Sequence, residues 1–422
     1  MTIKQMNFLR RFARRFFPKS CRAFLGQIFD AVLIWHWKFR WWQKRGFRPI
    51  QSPKKKGVLL VGYLQGGFGI GSSLRLSALA LKEAGVPFKV FDFNPRSHAI
   101  HNDDRLNSWL TQLPEYSINI FYIGVLQLPI LKKTLGKQFF QNRHNILYGA
   151  WELERLPEKW MRYLEDIDEI WAMSSFVGQM FRRSTSLPVY DLQLPIVPDQ
   201  LGSWSRTQFQ IPENDFVFLF MFDFDSHLVR KNPEAVIDAF KLAFPQSSHI
   251  PVRLVIKSIH GERHEKESDR LKNKMKEDPR ILQIHQELSH SENAALMQCC
   301  DCYISLHRSE GFGLTLAEMM LMGKPVITTG YSGNMDFTTP KTALLVDYQL
   351  VPVELSFPYE HSEGELWAEP NVQQASDYMR ELVEDSTFAR PLAQKGEELI
   401  RTSFSTKTMG DRYKKRLSTL LM

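Results

Sequence analysis

The stretch that decides the fold is residues 307–329, with the sequence HRSEGFGLTLAEMMLMGKPVITT. Here Glu310, Gly311 and Gly313 come before a helical pattern of apolar residues. Glycine lets the backbone approach a ligand closely, and the free amides at the start of a helix attract an anion. Glu318, one turn into the helix, can accept two hydrogen bonds from vicinal hydroxyls such as those of a ribose. The stretch therefore predicts a site for an anionic ligand that carries sugar hydroxyls.

Strand and helix patterns alternate on both sides of this stretch. In the second half, strands are predicted at 216–222, 252–257, 302–305 and 325–328, and helices at 232–244, 291–300 and 314–322. In the first half, a strand at 57–62, a glycine-rich loop and a helical pattern to residue 84 lead to strands at 88–93, 118–125, 145–150 and 169–173. Prolines at 188, 195 and 198 indicate a linker between the halves.

This order predicts an α/β protein of two Rossmann-like domains that face each other across a cleft. The predicted units are a basic helical extension, 1–56; an N-terminal Rossmann-like domain, 57–197; a C-terminal Rossmann-like domain, 198–405; and a C-terminal helix, 406–422, that returns to the first domain. In such folds ligands meet the carboxyl ends of the strands.

Composition excludes several classes of protein. The chain has 422 residues, 43% hydrophobic and 24% charged, which suits two or three globular domains. No run of about 18 uncharged apolar residues is present, so the sequence predicts no membrane span. Of the four cysteines, three lie together at Cys299, Cys300 and Cys302. They suit reduced thiols in a cytoplasmic protein better than a disulfide framework or a zinc site.

Charge is divided unevenly along the chain. Residues 1–56 contain 15 Lys and Arg but one acid, Asp30, whereas the rest of the chain has a net charge of −6. Two apolar stripes with helical spacing lie in the extension, opposite its arginines: Leu9, Phe12, Ala13, Phe16 and Phe17, then Phe24, Ile28, Ala31, Val32, Trp35, Phe39 and Trp42.

This pattern is typical of helices in the interface of an anionic membrane. We expect residues 1–50 to bind such a surface and the protein to be peripheral at the inner face of the plasma membrane, with no nucleic acid partner. Helices packed on the globular body and a nucleic-acid-binding arm are the alternatives.

The 307–329 stretch resembles the E-x7-E motif of the retaining glycosyltransferases of group 1, which have the two-domain GT-B fold. The spacing from Glu310 to Glu318 matches that motif, as do the Gly-Phe-Gly between them and the trailing Gly-Lys-Pro-Val-Ile. The resemblance implies that Glu310 contacts the donor sugar and that Glu318 holds the ribose. It also assigns the sugar and the diphosphate to the loop residues Gly311, Phe312, Gly313, Leu314 and Thr315.

An upstream stretch, residues 222–240 (FDFDSHLVRKNPEAVIDAF), resembles the basic loop and helix of the same family. Lys231 matches the lysine that pairs with the donor diphosphate. The family's arginine five residues earlier is replaced here by Ser226, so we expect Arg230 to supply the second positive charge. A solvated Arg-Lys pair on the surface is the alternative.

The resemblance also implies that residues 57–197 form the acceptor domain and residues 198–405 the nucleotide-sugar donor domain. Two further stretches resemble the family's acceptor and phosphate side. The loop with Gly67, Gly69 and Gly71 is similar to the family's first-domain glycine loop, although a tight turn between strand and helix explains its glycines almost as well. The block Trp151-Glu152-Leu-Glu154 looks like one found in a bacterial subset of the family, where Glu152 can contact acceptor hydroxyls; an acid at a helix start is the alternative. A nicotinamide-binding fingerprint is disfavoured, since only Asp92 loosely matches its ribose acid.

Two features depart from the family or compete with it. Many members carry a histidine near the end of the fourth strand, but residues 119–124 contain none; His98 and His101 are weak loop candidates. Asp223 and Asp225 form a D-x-D string that binds metal in another glycosyltransferase fold. We predict no metal here, because the string falls at a strand end.

The resemblance implies an enzyme that transfers a hexosyl group from a nucleotide diphosphate sugar to a hydroxyl of a glycan or glycolipid. The anomeric configuration would be retained, no cofactor other than the nucleotide sugar would be used, and the pathway would make a cell-surface polysaccharide. One alternative is a catalytically silent scaffold or glycan-binding protein in a membrane-associated polysaccharide assembly complex. An RNA-binding protein is a further alternative, which rests on the basic extension alone.

Overall fold

The computed structural model describes residues 55–421 apart from 68, 94–103, 112–114, 198–203, 248–249 and 386. The basic extension therefore lies, except for its last two residues, outside the described residues. The loop candidates His98 and His101 lie outside them too.

The first domain is a parallel sheet of six strands with the order β2-β1-β3-β4-β5-β6. The strands are β1 Lys55–Gly62, β2 Phe88–Asp92, β3 Tyr116–Tyr122, β4 His144–Gly149, β5 Glu169–Ala172 and β6 Val189–Asp191, and the helices are α1 Gly69–Glu83, α2 Leu128–Leu135 and α3 Ser175–Ser184. The apolar run 58–61 of β1 is fully buried. This burial is expected of a central strand that helices cover on both faces.

The second domain contains another parallel sheet of six strands, with the order β12-β11-β10-β7-β8-β9. Its strands are β7 Phe216–Asp223, β8 Val252–Ile259, β9 Ile281–His285, β10 Cys302–Ser305, β11 Val326–Thr329 and β12 Leu344–Val346. Its helices are α4 Leu228–Lys231, α5 Pro233–Ala243, α6 Glu265–Lys276, α7 His290–Cys299 and α8 Leu314–Leu321. Each strand order reverses direction once, and ligands of such sheets bind at that point.

The remaining chain forms a hairpin and three helices. The antiparallel hairpin consists of β13 Tyr348–Pro352 and β14 Leu366–Pro370, and the helices are α9 Val372–Glu384, α10 Arg390–Ser403 and α11 Thr406–Ser418. Short 3-10 helices lie at Asp104–Trp109, Val125–Gln127, Lys137–Phe139, Glu158–Leu164, Phe224–Ser226, Gly261–Arg263 and Gly333–Asp336.

Helix α11 crosses back to the first domain and packs against α1. The hydroxyl of Tyr413 donates to the carbonyl of Gln193 at 2.6 Å. Arg416 forms an ion pair with Glu169, whose side chain is 1% exposed and also accepts from the indole of Trp171. The last helix therefore supplies the cation for a carboxylate that is buried in strand β5.

The two Rossmann-like domains form the GT-B arrangement, so the predicted fold class is confirmed. Strand β10 has the bounds predicted from the sequence, and the other predicted strands are present within two residues at the amino end and three at the carboxyl end. Two local predictions were wrong. Helix α1 begins at Gly69, inside the predicted loop, and the predicted linker contains strand β6.

No helix in the described part of the chain has the length and the apolar character that a membrane span requires.

Candidate active site

The loop between β10 and α8 is held rigidly at Glu310. Its backbone N–H donates to the hydroxyl of Ser332 at 2.8 Å, and its carbonyl accepts from the N–H of Gly333 at 2.9 Å. The last residue before α8, Gly313, has φ +91°, a left-handed conformation that favours glycine. The loop 331–333 follows β11 as Glu310 follows β10, and because the two strands are parallel neighbours the loops meet.

Four charged side chains meet at this loop, and we call them the Glu310 cluster: Glu152, Arg230, Lys231 and Glu310. The carboxylate of Glu310 accepts from Nζ of Lys231 at 2.5 Å and from Nη1 of Arg230 at 3.2 Å. Oε1 of Glu152 lies 3.7 Å from Nη2 of Arg230. Since Glu152 belongs to the first domain and the other three to the second, the cluster spans the domain interface.

Burial decides which groups of the cluster can meet a ligand. The side chain of Arg230 is 5% exposed, and its guanidinium donates to the carbonyls of Ser226 and Ser309 at 2.8 and 2.7 Å. Lys231 is 19% exposed and Glu310 is 13% exposed. Arg230 is therefore held mainly by the protein, whereas the side chains of Lys231 and Glu310 remain partly exposed.

The pKa values follow from the same contacts. Burial alone would raise the pKa of Glu310, but Lys231 and Arg230 lower it to about 2. Burial alone would lower the pKa of Arg230, but Glu152, Tyr359 and Glu310 together raise it. The pKa of Lys231 is lowered, because burial and Arg230 outweigh the attraction of Glu310. Around neutral pH the cluster thus holds a permanent anion at Glu310 and a permanent cation at Arg230.

Behind Glu310 lies His307, which is fully buried. Its Nδ1 is 3.1 Å from the hydroxyl of Ser305, and its Nε2 faces the carbonyl of Tyr331 and Oδ1 of Asn334 at 3.3 and 3.1 Å. Two acceptors at Nε2 assign the proton to that nitrogen. Burial lowers the pKa of His307, so the ring is a neutral support of the loop.

The other predicted donor residues lie at the start of α8, next to Glu310. Gly311 and Phe312 are buried, and Gly313, Leu314, Thr315 and Glu318 are partly buried. The ring of Phe312 packs against Phe337 with centroids 5.2 Å apart, so this residue can offer a ligand only its backbone. The structure thus brings the predicted donor residues of the E-x7-E motif together at one helix start.

The predicted glycine loop of the first domain is a tight turn at the start of α1. A Cβ at Gly71 would lie 2.3 Å from the carbonyl oxygen of Gly66, so the packing requires glycine there. Arg75 donates to the carbonyls of Leu64 and Gly66 at 2.9 and 2.7 Å. Packing accounts for Gly71.

The two other glycines of this loop, Gly67 and Gly69, are exposed. The carboxylate of Asp92 accepts from the N–H of Leu64 at 2.9 Å and so anchors the loop.

The sequence did not indicate the aromatic surroundings of Glu152. The hydroxyl of Tyr359 donates to Oε2 of Glu152 at 3.1 Å, and its ring lies 5.3 Å from Trp151 and 4.9 Å from His227. Burial, with Arg230 and Arg308 nearby, lowers the pKa of His227 to about 4, which keeps it neutral. Tyr359 stands in a loop without periodicity, so no sequence signal could have revealed it.

The D-x-D string lies in a second group of charges, which we call the histidine cluster: Asp223, Asp225, His260, Arg263 and His264. Nδ1 of His260 is 2.7 Å from Asp223, Nε2 of His264 is 2.9 Å from Asp225, and Arg263 pairs with Asp225. Among the described residues, Asp223, Asp225 and His260 are the one group of three or more His, Cys, Asp or Glu whose possible metal-ligating atoms lie within 4.8 Å of one another. Arg263 already neutralises Asp225, which makes the group a poor cation site.

The stretch 119–124, which lacks the family histidine, begins inside β3 and continues two residues beyond it; β3 is the third strand of the described chain rather than the fourth. Asn119 is fully buried there, and its amide donates to the carbonyl of Phe139 at 3.1 Å and to Oδ1 of Asn145 at 2.9 Å. Asn119 is thus a structural residue of the sheet.

The second domain is similar in sequence to a known protein family. Residues 205–399 match the model of the family described as "Glycosyl transferases group 1", and this range contains the second sheet and three members of the Glu310 cluster. No curated protein matches the chain.

Solved structures resemble the chain over most of its length. The Anabaena protein HepE in complex with UDP-glucose is 14% identical, with 86% of this chain and 100% of that chain covered and a TM-score of 0.64. Sucrose-phosphate synthase from Thermosynechococcus elongatus is 16% identical, with 87% and 99% covered and a TM-score of 0.61. A glycosyltransferase from Rickettsia africae is 14% identical, with 87% and 99% covered and a TM-score of 0.58. At such identities the likeness shows the fold alone.

Proposed function

We propose that the protein is a retaining hexosyltransferase that uses a nucleotide diphosphate sugar and a glycan or glycolipid acceptor in the synthesis of a cell-surface polysaccharide. The observation that carries this proposal is the Glu310 cluster at the start of α8. It places a carboxylate for sugar hydroxyls beside a lysine and the free amides of a helix, at the interface of two domains. The family match over residues 205–399 supports the same activity.

In the proposed reaction the bond from the anomeric carbon to the diphosphate breaks and the acceptor oxygen forms the new bond on the same face. The proton of the acceptor hydroxyl passes to the departing diphosphate. Lys231 and the amides from Gly311 to Thr315 stabilise the negative charge that develops on the leaving group. Arg230 adds positive potential from its buried position and holds Glu310 in place.

The remaining groups bind rather than react. Glu310 accepts from hydroxyls of the transferred sugar and Glu318 from those of the ribose. Gly67, Gly69 and Gly71 border the acceptor and phosphate side, and Glu152 reaches the same space from the first domain.

Metal independence is part of the proposal. Lys231, Arg230 and the helix amides supply the positive potential that a metal would otherwise bring, and the acids of the histidine cluster are paired with His260, Arg263 and His264. Transfer in the presence of EDTA is the expected result. Loss of activity on chelation that manganese restores would overturn this part of the proposal.

The decisive experiment is a thermal-shift screen of UDP-, GDP- and ADP-sugars, followed by a transfer assay with the best donor. A ligand at 100 times its Kd stabilises the folded state by about 2.7 kcal/mol. An NMR coupling constant then gives the anomeric configuration of the product, and inversion would exclude the proposed mechanism.

The basic extension completes the proposal. We expect residues 1–50 to hold the protein on an anionic membrane at the cytoplasmic face, because each basic residue near such a surface contributes about 1 kcal/mol. A chain that lacks residues 1–50 should stay folded and no longer sediment with phosphatidylserine or cardiolipin vesicles. Vesicles of phosphatidylcholine are the control, and unchanged sedimentation after the deletion would place the extension on the protein body.

A catalytically silent scaffold or glycan-binding protein is the second candidate. It is favoured by the structural role of Asn119, since the first domain offers no histidine at that place. Binding of a nucleotide sugar without any hydrolysis or transfer would select it.

A further inference from the structure

The chain makes an excursion between β12 and α9 that exposes much apolar surface. This hairpin excursion, residues 347–371, consists of β13, β14 and the loop 353–365. Nine large hydrophobic side chains of the described residues are exposed, and five of them lie here: Tyr348, Leu350, Leu355, Phe357 and Leu366. Phe357 is 72% exposed, the largest value of the nine. Apolar surface concentrated in one place marks an interaction site.

The apolar face of the hairpin is turned toward the domain interface. Tyr348 and Leu350 share one face because side chains alternate along a strand, and the cross-strand register places Leu366 on the same face. The ring centroid of Tyr348 is 5.2 Å from that of Tyr331, which in turn is 5.6 Å from that of Phe176 in the first domain. A row of aromatic rings thus connects the hairpin with the opposite side of the cleft.

The loop of the excursion reaches the Glu310 cluster. The hydroxyl of Ser356 is 2.8 Å from Nε2 of His227, and the hydroxyl of Tyr359 donates to Glu152 at 3.1 Å. Phe357 lies between these two anchored residues in the sequence, while its own side chain is open to solvent. The apolar surface therefore starts beside the proposed site of transfer.

The charge of the excursion limits what can bind to it. Residues 347–370 contain six Asp and Glu and no Lys or Arg. Glu354, Glu360 and Glu363 are exposed, and Glu154 stands near Tyr331 across the interface. An anionic membrane or a phosphate-bearing chain would be repelled.

We propose that the hairpin excursion is the docking surface for a neutral glycan chain, the acceptor of the proposed transfer. The C–H faces of sugar rings are apolar and can pack on Phe357, Leu355 and the hairpin face, while the sugar hydroxyls donate to the surrounding carboxylates. This inference rests on the proposed function, and it narrows the acceptor from any glycan or glycolipid to an uncharged chain.

The test compares the full-length chain with the double variant Leu355→Ser, Phe357→Ser. Isothermal titration calorimetry in the presence of UDP measures the binding of cellotetraose, maltotetraose and chitotetraose, which are neutral, and of a hyaluronan tetrasaccharide, which is anionic. At least one neutral tetrasaccharide should bind, and the double variant should bind it at least tenfold more weakly. Phe388→Ser removes an exposed phenylalanine outside the excursion and should bind like the parent chain.

Three results would overturn the inference: equal binding by the double variant and the parent, tighter binding of the hyaluronan tetrasaccharide, or no binding of any neutral tetrasaccharide. The thermal shift produced by UDP on the parent chain is measured separately. If UDP shifts the melting temperature of the parent chain but the double variant binds glycans as the parent does, the docking surface is refuted and the donor site is not. If UDP produces no thermal shift but glycan binding is weakened in the double variant, the transfer reaction is refuted and the docking surface is supported.

Discussion

The second sheet carries two groups of paired charges at the carboxyl ends of its strands, and they differ in what holds them. In the Glu310 cluster, an arginine and a lysine face glutamates, and the side chain of Arg230 is 5% exposed. In the histidine cluster, His260 and His264 do much of the pairing, and the side chain of Asp225 is 37% exposed. In the first cluster the pKa of Glu310 is lowered to about 2 and that of Arg230 is raised, so both keep their charges over the whole physiological pH range. The second cluster depends on His260, whose pKa is raised from 6.5 by its hydrogen bond to Asp223.

This difference assigns the two clusters to different tasks. Fixed charges suit the stabilisation of a leaving group, because they need not reorganise during the reaction. Histidine pairs suit the bracing of loops, and here they connect the ends of β7 and β8. The predictions that follow test this division.

The largest effect is expected at the Glu310 cluster. Glu310→Gln and Lys231→Ala should each lower the rate of transfer or donor hydrolysis at least about a hundredfold, since one charged contact to a transition state contributes about 3 kcal/mol. Lys341→Ala, which removes an exposed lysine, is the control for assays of steady-state turnover. Turnover like that of the parent chain in either folded variant would remove the cluster from the reaction.

Stability should separate two substitutions at the same residue. Glu310→Ala leaves the buried Arg230 with one carboxylate fewer, and loss of one partner of a buried ion pair costs about 3–5 kcal/mol. Glu310→Gln keeps the shape and an acceptor oxygen, so we expect a smaller loss. Urea unfolding of both variants measures the difference, and equal losses would mean that the neutral amide of glutamine replaces none of the stabilisation that the carboxylate of Glu310 provides.

A smaller effect is expected when the histidine cluster is changed. Asp225→Asn should keep transfer within about fivefold of the parent rate, with or without EDTA, because its carboxylate is already paired with Arg263 and His264. Steady-state rates over a manganese titration measure this. Two results together would contradict this prediction: a hundredfold lower rate in Asp225→Asn, and a loss of parent activity in EDTA that manganese restores. They would show that Asp223 and Asp225 take part in the reaction.

The smallest effect is a dependence of stability on pH. The hydrogen bond from His260 to Asp223 outweighs burial and raises the pKa of His260 above 6.5; Asp225, Glu287 and Arg263 also face the ring. Because the pKa of His260 is higher in the folded than in the unfolded protein, its protonation stabilises the folded state fully below pH 6.5. This stabilisation is lost as the pH rises through the pKa of His260 in the folded state. Asp223→Asn should therefore cost more stability at pH 5.5 than at pH 8.5, by about 1–2 kcal/mol.

The Glu310 cluster provides the comparison for that measurement. Glu310 has its pKa lowered to about 2, so its contribution is complete above pH 4.5 and is lost only as the pH falls toward 2. The deficit of Glu310→Gln should change little between pH 5.5 and 8.5. Parallel deficits for Asp223→Asn and Glu310→Gln over that range would show that His260 does not titrate there.

The sequence predicted those parts of the molecule whose physics is local. The strands at 57–62 and 302–305 are short apolar runs in parallel sheets, and they are buried as such runs require. Gly313 could be expected before α8, since its conformation and the helix start are properties of adjacent residues.

Other features depend on partners far along the chain and escaped prediction. Arg230 was expected beside the diphosphate, but it is buried because its guanidinium donates to the carbonyls of Ser226 and Ser309. Ser309 lies 79 residues further along the chain. The hairpin excursion shows no alternation of exposed and buried residues, because β13 is exposed on both faces. Helix α3 was missed, although Ser174 caps it by accepting from the N–H of Val177.

The ion pair between Glu169 and Arg416 has a consequence for protein synthesis. The two residues are 247 positions apart, and a ribosome that adds about 5–20 residues per second needs roughly 12–50 s to pass from one to the other. During that interval the nascent first domain lacks helix α11, which packs against α1 and supplies Arg416 as a partner of Glu169. The newborn amino-terminal half should therefore wait in a loosened state, open to chaperones and proteases, until the last helix leaves the exit tunnel.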